Sequence, residues 1–551
     1  RRPPSSTLFP YTTLFRSPAG AQALSELKNE VSLVMQYGPN EIAHMIPETT
    51  PTGTGMTPSP VSNVGFPHGD WRWSPHNPDV LIDGPTGMAF PNDQYPEDIV
   101  LVANYGGKEQ RFTFHRSQDW RFNGIPLASS FTGRIRTEKV IFMAEQVEKI
   151  ALLYALTQDP AYARQAKAIL LRFAEVYPYY LVNTSYSEIA DMDPLEAALN
   201  IGALPQDELV VPPNQPNRSL QGGLWSAGRL RPGGVEGISV LQLAVAYDLV
   251  ADAVDENGNP IFTEEERYLV ERDALLEGTK LLLANPSIDN KSISGRAAVA
   301  AVGATVGDPV LVRWGLEGLR AILDHWFLPD GSTSESPAYA LQVLTPVLKL
   351  TEILEGYSDP PGYVDESGGR IDNLSLYDDP KYHAVWQNMY LSLLPDLRYP
   401  PIADSYTTST LSNMMIMIMA MRFDNPEYKG LLRHRIGSLR DLLLYQSDSF
   451  DLRTAESPRF YDVLFPSWRL GFLRSGRDGK ESTLILNMSD WGVHHHYDSL
   501  DLYYWKGGQE LLSDLGYLWD HPRQMMTMRS VAHNLVVVDE ANQRTAVRGG
   551  D

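Results

Sequence analysis

The sequence predicts an α+β protein of more than one domain, in which a long helical region is followed by antiparallel strands. Apolar residues recur at three- and four-residue spacing between residues 137 and 445, which predicts helices. Near the end of the chain, short runs of apolar and aromatic strand formers alternate with glycine turns, which predicts a sheet. The length of 551 residues exceeds what one hydrophobic core usually covers, so we expect at least two domains.

Four sections of the chain differ in character. Residues 1–17 resemble a translated sequencing adapter and are left out of the fold prediction, so the chain is expected to be a metagenomic fragment. Residues 18–133 contain many Pro, Gly and Trp residues and predict an irregular, partly β lead-in. Residues 134–450 are predicted to form the helical domain, and residues 451–551 the start of the sheet-containing domain.

Start and stop signals place the helices. Asp159-Pro160 predicts a break between two helices, and the capping box Thr263-Glu-Glu-Glu266 opens a helix that runs towards Leu283. Further helices are predicted at residues 237–252, 294–306, 310–324, 337–354, 382–394 and 411–422.

Composition excludes several classes of protein. The net charge of −22 argues against general nucleic-acid binding, and an anionic substrate would need a local basic groove. The absence of cysteine excludes disulfides, a thiolate nucleophile and thiolate metal sites. No apolar run is long enough to predict a membrane span.

Metal-ligating residue types cluster near the end of the chain. If residues 494–498 form a strand, His494, His496 and Asp498 share one face. A hairpin turn at residues 506–509 would return Asp514 to His496, and His533 precedes a third predicted strand at residues 535–538. Imidazole and carboxylate ligands suit zinc. The alternatives are a solvated row of histidines, and Asp498 as a partner that orients an imidazole.

These motifs resemble those of the heparinase II/III-type polysaccharide lyases, which include heparinases and alginate lyases. The resemblance rests on His494-x-His496-x-Asp498, the Leu-Leu-x-Asp-x-Gly run at 511–516, and the Arg-Ser-x-Ala-His-Asn run at 529–534. It implies an N-terminal incomplete (α/α) toroid followed by an antiparallel β-sandwich, which is truncated here. It also implies a catalytic His494 and a structural zinc ion held by His496, Asp514 and His533.

Two loops of the helical region extend the resemblance. The run from Asp330 to Tyr339 resembles the family stretch that supplies the catalytic tyrosine, which makes Tyr339 a catalytic candidate and Glu335 a substrate contact. It departs from the family pattern because Ser336 follows Glu335 directly; a packed aromatic is the alternative for Tyr339. The loop that contains Asp404 is expected to support the site and not to do chemistry.

Further polar groups precede predicted helices. The segment Asn290-Lys291 and the following Arg296 could present an amide and two cations to an anion, or form a capped surface loop. Upstream, Trp225 could stack on a sugar ring or pack within its loop. Arg229-Leu-Arg231 could pair with carboxylates or sulfates, for which Arg229 is the candidate.

The resemblance implies a polysaccharide lyase that cleaves a uronate-containing acidic polysaccharide by β-elimination. Tyr339 and His494 would exchange protons with the sugar, while Asn290 would neutralise its carboxylate. The protein is expected to be periplasmic or secreted, its signal peptide lost with the true N-terminus. Two alternatives remain: a toroidal glycoside hydrolase with Glu335 and Asp330 as its carboxylates, and a non-catalytic glycan-binding protein.

Overall fold

The computed structural model describes most of the chain between residues 18 and 544. The described residues are 18–51, 57–62, 66, 68–122, 125–183, 227–231, 234–285, 287–423, 425–434, 452–477, 479–489, 494–519, 521 and 523–544. For residues 18, 19, 101, 116–122, 125–128, 433 and 434 only the backbone is described.

Helices dominate the described residues. They are α1 (Pro18–Val31), α2 (Pro39–Met45), α3 (Phe131–Thr157), α4 (Pro160–Val176), α5 (Glu236–Val250), α6 (Glu264–Leu269), α7 (Glu277–Leu283), α8 (Ser292–Val306), α9 (Pro309–Ala321), α10 (Pro337–Leu354), α11 (Pro380–Leu391), α12 (Asn413–Arg422), α13 (Pro426–His434) and α14 (Gln524–Met528). A π-helical segment, Val270–Leu276, joins α6 to α7, and another, Ile322–Trp326, extends α9. Every helix predicted between residues 237 and 422 is present, with ends shifted by at most three residues apart from the π-helical extension.

Side-chain caps explain where several helices begin. Asp159 accepts a hydrogen bond from the backbone N–H of Ala161, and Pro160 occupies the first turn, so the predicted break before α4 is confirmed. The capping box of Thr263 is also confirmed at the start of α6. Ser336 caps α10 by accepting from the backbone N–H of Tyr339. This last cap places Tyr339 in the first turn of α10.

Helix α8 lies at the centre of the helical part. It packs against α5, α7, α9 and α10, and its residues from Ser292 to Gly303 are all buried. A helix that is apolar on all sides must be covered on all sides, and the Ala- and Val-rich sequence of α8 meets this condition. Close packing depends on small residues, because a Cβ on Gly237 of α5 would lie 2.4 Å from the Ser294 backbone.

Three antiparallel sheets accompany the helices in the described residues. The lead-in contains β1 (Trp71–Trp73), β2 (Leu81–Asp83), β3 (Ala89–Phe90), β4 (Ile99–Tyr105), β5 (Lys108–Phe122) and β6 (Ile125–Ser129), in two three-stranded sheets of order β1-β2-β3 and β4-β5-β6. The third sheet, of order β11-β10-β9-β8-β7, contains β7 (Val463–Phe465), β8 (Leu470–Ser475), β9 (Ser482–Asn487), β10 (Asp501–Lys506) and β11 (Gln509–Leu512). The predicted hairpin at residues 506–509 is therefore confirmed.

The five-stranded sheet packs one face on the helices. Phe472, Ile485 and Tyr503 are buried in the same core as the helical side chains. The predicted α+β class, helix-rich with antiparallel sheets, is confirmed. Among the described residues, no helix combines the length and apolar character needed to cross a membrane.

Two predicted strands are wrong. Residues 494–498 are irregular because His494 has φ of 61°, which interrupts the extended alternation on which the shared face depended. Residues 535–538 form no strand: Val536 and Val538 are 86% and 69% exposed. The backbone N–H of Leu502 bonds to the Asn534 carbonyl, but no ladder continues beyond this bond.

Candidate active site

A loop around Asp404 joins the first turn of α10 to two segments of the C-terminal part. The Asp404 carbonyl accepts a hydrogen bond from Ser336 Oγ at 2.9 Å, and the Asp404 N–H donates to the His494 carbonyl at 3.1 Å. The next residue, Ser405, accepts from the N–H of Tyr517 at 3.0 Å. Residues that lie far apart in the sequence are therefore held together by hydrogen bonds to the backbone of this loop.

The aromatic rings of Tyr339 and His494 stack at this junction. Their centroids lie 3.8 Å apart with an interplanar angle of 21°. The hydroxyl of Tyr339 lies 3.4 Å from that of Tyr517. Burial raises the pKa of Tyr339, and the neighbouring Tyr517 adds to this effect. Tyr339 is therefore a neutral phenol, which can donate a proton.

Asp404 orients the His494 ring. Its Oδ2 lies 2.8 Å from His494 Nδ1, so this nitrogen carries the proton and Nε2 keeps its lone pair when the ring is neutral. Burial raises the pKa of Asp404, but hydrogen bonds from His494 and His496 outweigh it and lower the pKa overall. Asp404 is thus an ionised partner, which agrees with the supporting role predicted for its loop.

Glu335 and Asn290 complete the polar surroundings of the stacked pair. Asn290 Nδ2 donates to Glu335 Oε2 at 2.8 Å, and Trp326 Nε1 donates to Oε1 at 3.1 Å. Glu335 Oε2 also lies 3.9 Å from His494 Nε2. Burial raises the pKa of Glu335 in spite of these partners. The predicted catalytic residues Tyr339, His494 and Asn290 are therefore brought together around one carboxyl group.

Beside this pair lies a buried group of four metal-ligating residue types. One ligand atom from each of His496, Asp498, Asp514 and His533 lies within 4.8 Å of the others. All four side chains are buried. The three predicted metal ligands are thus brought together, although residues 494–498 and 535–538 do not form the predicted strands.

Hydrogen bonds outside the cluster select the ligand atoms. His496 Nε2 bonds to Asp404 Oδ1 at 3.1 Å, and His533 Nδ1 donates to the Arg529 carbonyl at 2.9 Å, so His496 Nδ1 and His533 Nε2 are left with lone pairs. These two nitrogens lie 3.4 Å apart. Asp514 Oδ2 is buried and has no hydrogen-bond donor among the described residues. Two imidazole lone pairs and an orphaned carboxylate oxygen form a donor set that fits zinc.

The electrostatics of the cluster also fit a cation. Burial raises the pKa of Asp514 to about 8 and lowers that of His533 to about 4. Burial likewise raises the pKa of Asp498 to about 6, and its Oδ2 accepts from Asn487 Nδ2 at 2.9 Å. Buried carboxylates without a counter-charge are costly, and a bound cation would offset that cost. Asp498 fits either as a fourth ligand or as a neighbour that adds negative charge.

The two arginines that were predicted to contact substrate are buried. Arg229 is 1% exposed and is held by Glu277 Oε1 at 2.7 Å and by the carbonyls of Tyr177 and Tyr180, so its guanidinium is fully engaged within the protein. Arg296 lies between α8 and α9, stacked 3.6 Å above the Trp314 ring. Both cations serve helix packing. Trp225 lies outside the described residues.

The structure adds Tyr517 to the residues that the sequence analysis named. Tyr517 directly follows the Leu-Leu-x-Asp-x-Gly run, and this adjacency was the available signal for it. Arg231 and Lys291 belong to the two basic segments that the sequence singled out, but they differ from the chosen candidates Arg229 and Arg296. Burial lowers the pKa of Arg231 and that of Lys291.

No protein-family model and no curated protein matches the chain. Similar solved structures include heparan sulfate lyase from Pedobacter heparinus, with a TM-score of 0.44 and 15% identity over 80% of this chain and 58% of that chain. An alginate lyase from Bacteroides ovatus has a TM-score of 0.40 and 13% identity, covering 78% of this chain and 95% of its own. Chondroitin AC lyase from Streptomyces coelicolor A3 has a TM-score of 0.43 and 12% identity, covering 91% of this chain and 56% of its own.

The chain therefore spans less than two thirds of the length of the heparan sulfate and chondroitin lyases. Because the TM-scores are below 0.5, the functional conclusion depends on the residues of the site and not on these similarities. The three solved structures named above are polysaccharide lyases.

Proposed function

We propose that the chain is the helical and first sheet-containing part of a polysaccharide lyase, which cleaves a uronate-containing acidic polysaccharide by β-elimination. The observation that carries this proposal is the stacked pair of Tyr339 and His494, with a neutral phenol on one side and an imidazole nitrogen lone pair on the other. An acid and a base held side by side meet the two proton transfers that elimination requires.

The proposed reaction assigns one proton transfer to each ring. His494 Nε2 removes the proton from C5 of the uronate, α to its carboxylate. The electron pair forms the C4–C5 double bond, the bond from C4 to the glycosidic oxygen breaks, and the Tyr339 hydroxyl protonates the leaving oxygen. Asp404 stabilises the imidazolium that forms on His494, because its carboxylate bonds to Nδ1 at 2.8 Å.

Asn290 is the proposed partner of the substrate carboxylate. One N–H of its amide is held by Glu335, which leaves the second N–H to donate to an oxygen of the carboxylate as negative charge develops. Glu335 bonds to Asn290, and its Oε2 lies 3.9 Å from Nε2 of the base His494. We therefore propose that Glu335 contacts the substrate.

The proposed metal site has a structural role. His496, Asp514 and His533 would hold zinc, which when bound supplies the positive charge that this buried donor set lacks. These residues belong to three separate segments, and His494 is two positions from His496. The metal site thereby supports the position of the catalytic histidine without contact to the substrate.

The finer fold follows the same proposal: the helices form an incomplete (α/α) toroid, and the five-stranded sheet is one layer of a β-sandwich. The outer face of the sheet supports the second layer, because it is apolar as well. Leu473, Leu484 and Tyr504 are cross-strand neighbours on that face, and Leu473 is 60% exposed.

We further place the protein in the periplasm or outside the cell, where polymeric acidic polysaccharides occur.

The glycoside hydrolase alternative is less well supported. It requires Glu335 and Asp330 as a carboxylate pair, but Asp330 serves its own loop. Its Oδ1 accepts from Ser332, and its Oδ2 accepts from the N–H of Ser467 at 2.8 Å. The remaining alternative, a glycan-binding protein without turnover, is separated from a lyase by the following experiment.

The test is the growth of ultraviolet absorbance, caused by the new double bond, on a panel of uronate polysaccharides. We expect the wild-type protein to produce the signal with at least one polymer, and Tyr339→Phe to lower the rate about 10²- to 10⁴-fold while the fold is kept. Tyr461→Phe is the matched control, since Tyr461 is a half-exposed tyrosine whose carbonyl accepts a hydrogen bond from Arg474 of β8. Full activity of Tyr339→Phe would exclude the proposed mechanism, and reducing ends without absorbance would indicate a hydrolase.

A further inference from the structure

Tyr517 places a second phenol hydroxyl beside that of Tyr339. The two hydroxyl oxygens lie 3.4 Å apart, and the ring centroids lie 6.3 Å apart with an interplanar angle of 52°. Among the described residues, Tyr517 is the only side-chain hydrogen-bond partner of the Tyr339 hydroxyl. Within this part of the chain, the pair is therefore the contact through which the protein can act directly on the proton of Tyr339.

The backbone holds Tyr517 at this position. Its N–H donates to the Ser405 carbonyl at 3.0 Å. The preceding Gly516 has φ of 68°, and a Cβ there would lie 2.7 Å from the same carbonyl, so the path of the chain requires glycine. The Gly516 N–H in turn donates to Asp514 Oδ1 at 2.8 Å. These contacts fix the start of the Tyr517 side chain next to the loop of Asp404, independently of any substrate.

The surroundings of Tyr339 oppose the charge that it would carry after it gives up its proton. Burial raises the pKa of Tyr339 most, and Tyr517 and the Asp404 carboxylate add to this effect. A phenol that is withdrawn from water and lies near a carboxylate is a weak acid, unless a hydrogen bond meets the negative charge that develops on its oxygen. The proposed role of Tyr339 as the acid therefore needs a donor to that oxygen.

The stacked His494 does not supply this donor. The N–H bonds of an imidazole lie in the plane of its ring, and the His494 plane runs at 21° to that of Tyr339, with the centroids 3.8 Å apart. The proton on its Nδ1 is held by Asp404 at 2.8 Å. An imidazolium in this position stabilises a phenolate by its charge, but it does not aim an N–H at the phenolate oxygen. The Tyr517 hydroxyl remains as the donor.

We propose that Tyr517 is a proton relay for Tyr339. As the bond from C4 to the glycosidic oxygen breaks, the Tyr339 proton passes to the leaving oxygen and the Tyr517 proton passes to the Tyr339 oxygen. Tyr517, which is partly exposed, then regains a proton from water, and the proton that His494 took from C5 leaves to water in the same cycle.

This inference rests on the proposed function, because it takes Tyr339 as the acid. Before the reaction Tyr339 donates to Tyr517, and reversal of that hydrogen bond needs only the rotation of two hydroxyl groups. The separation of 3.4 Å is long for a hydroxyl pair, and we expect it to shorten when substrate is bound. Tyr517 is a positioning residue, since it contacts Tyr339 and not the substrate.

The test compares two leaving groups, because a relay acts only on protonation of the leaving oxygen. One substrate is the polysaccharide on which the wild-type protein is most active, and its leaving group is a sugar alkoxide. The other is the methyl glycoside of glucuronate or of mannuronate with a nitrophenyl ether at C4, which leaves as a stable phenolate without a proton. Both reactions need the same proton abstraction from C5.

Tyr517→Phe is expected to lower kcat on the polysaccharide about ten- to hundredfold, since a hydrogen bond to a charged oxygen is lost. On the nitrophenyl ether the same variant should stay within about threefold of the wild-type rate. A difluorotyrosine at this position keeps the hydroxyl and should keep kcat on the polysaccharide within about threefold. A substitution that merely disturbed the packing of the site would slow both substrates alike.

The dependence of the rate on the deuterium content of the solvent gives a second readout, which needs no synthetic substrate. Two protons that move together produce a curved dependence on the polysaccharide with the wild-type protein, and Tyr517→Phe should make it linear. A linear dependence in the wild-type protein would overturn the relay.

Tyr363→Phe is the matched control. Tyr363 is partly exposed, as Tyr517 is, but it lies beyond the C-terminal end of α10 with the Arg313 guanidinium 4.8 Å above its ring. This variant should leave both rates unchanged. Unfolding midpoints of all variants are recorded, and if Tyr517→Phe does not fold, para-methylphenylalanine, which fills the volume of the hydroxyl, takes its place.

The outcomes separate the relay from the proposed function. Loss on the polysaccharide with retention on the nitrophenyl ether would support the relay. Equal slowing of both substrates, or wild-type turnover of the polysaccharide by Tyr517→Phe, would overturn the relay and leave the lyase in place. A wild-type protein that forms no unsaturated product from any polymer would remove the lyase and the relay together.

Discussion

Replacement of Asp404 by Asn tests the coupling between the catalytic pair and the metal site. The Asp404 side chain is 3% exposed and accepts two hydrogen bonds, from His494 at Oδ2 and from His496 at Oδ1. An Asn side chain has the same shape, but it offers one acceptor oxygen and one donor nitrogen. Only one of the two histidines can then keep its present tautomer, because the NH₂ group needs an acceptor on the other ring.

The two possible results affect different functions. If the Asn nitrogen faces His494, the proton moves to Nε2 and the base is lost, which we expect to lower the rate about 10²- to 10⁴-fold. If it faces His496, the proton moves to Nδ1, the atom that points to the metal site, and zinc affinity should fall about 10- to 100-fold. Loss of the charged acceptor should also cost about 1.5–3 kcal/mol of stability.

The assay combines the rate of absorbance growth with zinc content measured after competition with a chelator. Asp372→Asn is the control, since Asp372 is a 65% exposed partner of Arg370 and should change neither quantity. Wild-type turnover together with wild-type zinc affinity in Asp404→Asn would refute the view that this carboxylate fixes both imidazole tautomers.

Three further predictions concern metal, packing and pH. Removal of metal by a chelator should lower the unfolding midpoint of the wild-type protein, because it leaves the buried carboxylate of Asp514 without a cation, and should have no further effect on Asp514→Ala. Gly237→Ala should lower the free energy of unfolding by about 1–3 kcal/mol in a urea titration, since its Cβ would overlap neighbouring backbone at 2.4 Å, whereas Gly471→Ala, with 3.9 Å to its nearest atoms, should not. Burial raises the pKa of Asp359, but hydrogen bonds led by Arg313 outweigh this and lower it overall. The folded pKa lies below the unfolded one, so this contribution to stability is present above about pH 4 and is lost as the pH falls further, and Asp359→Asn should flatten stability in that acid range.

Each of these predictions has a contradicting result. An unchanged midpoint after chelation would argue against a metal at the His–Asp cluster, and equal effects of the two glycine substitutions would argue against the close contact of α5 with α8. A stability curve of Asp359→Asn that keeps the wild-type acid slope would assign that slope to other carboxyl groups.

Local signals in the sequence predicted the elements that depend on local forces. The helix predicted at residues 337–354 is confirmed at both ends. Its start depends on local signals, because Ser336 caps the first turn and Pro337 suits the first helical position. The hairpin at residues 506–509 is confirmed for the same kind of reason, since two glycines supply its positive φ angles. By contrast, the segment at residues 535–538 has strand-forming residues but no partner strand among the described residues, and Val536 and Val538 remain exposed.

The basic residues illustrate the limit of sequence reasoning. Arg229 and Arg231 are two positions apart, and nothing local distinguishes them as substrate ligands. Glu277, which saturates Arg229, is 48 residues away in the sequence. Whether a cation is left unpaired therefore depends on which distant acidic group the fold brings to it.

The sequence by itself determined the helix starts, the hairpin, and the group of residue types that could bind a metal, because these depend on neighbours or on motif spacing. Only the tertiary structure decided that Asp404 meets His494 across 90 residues, and that Tyr339 lies beside Tyr517 across 178 residues. Such contacts arise when packed helices and a sheet bring distant segments together, and hydrogen bonds then fix the orientation of each ring. The chemistry of the site depends on those orientations, which no local pattern encodes.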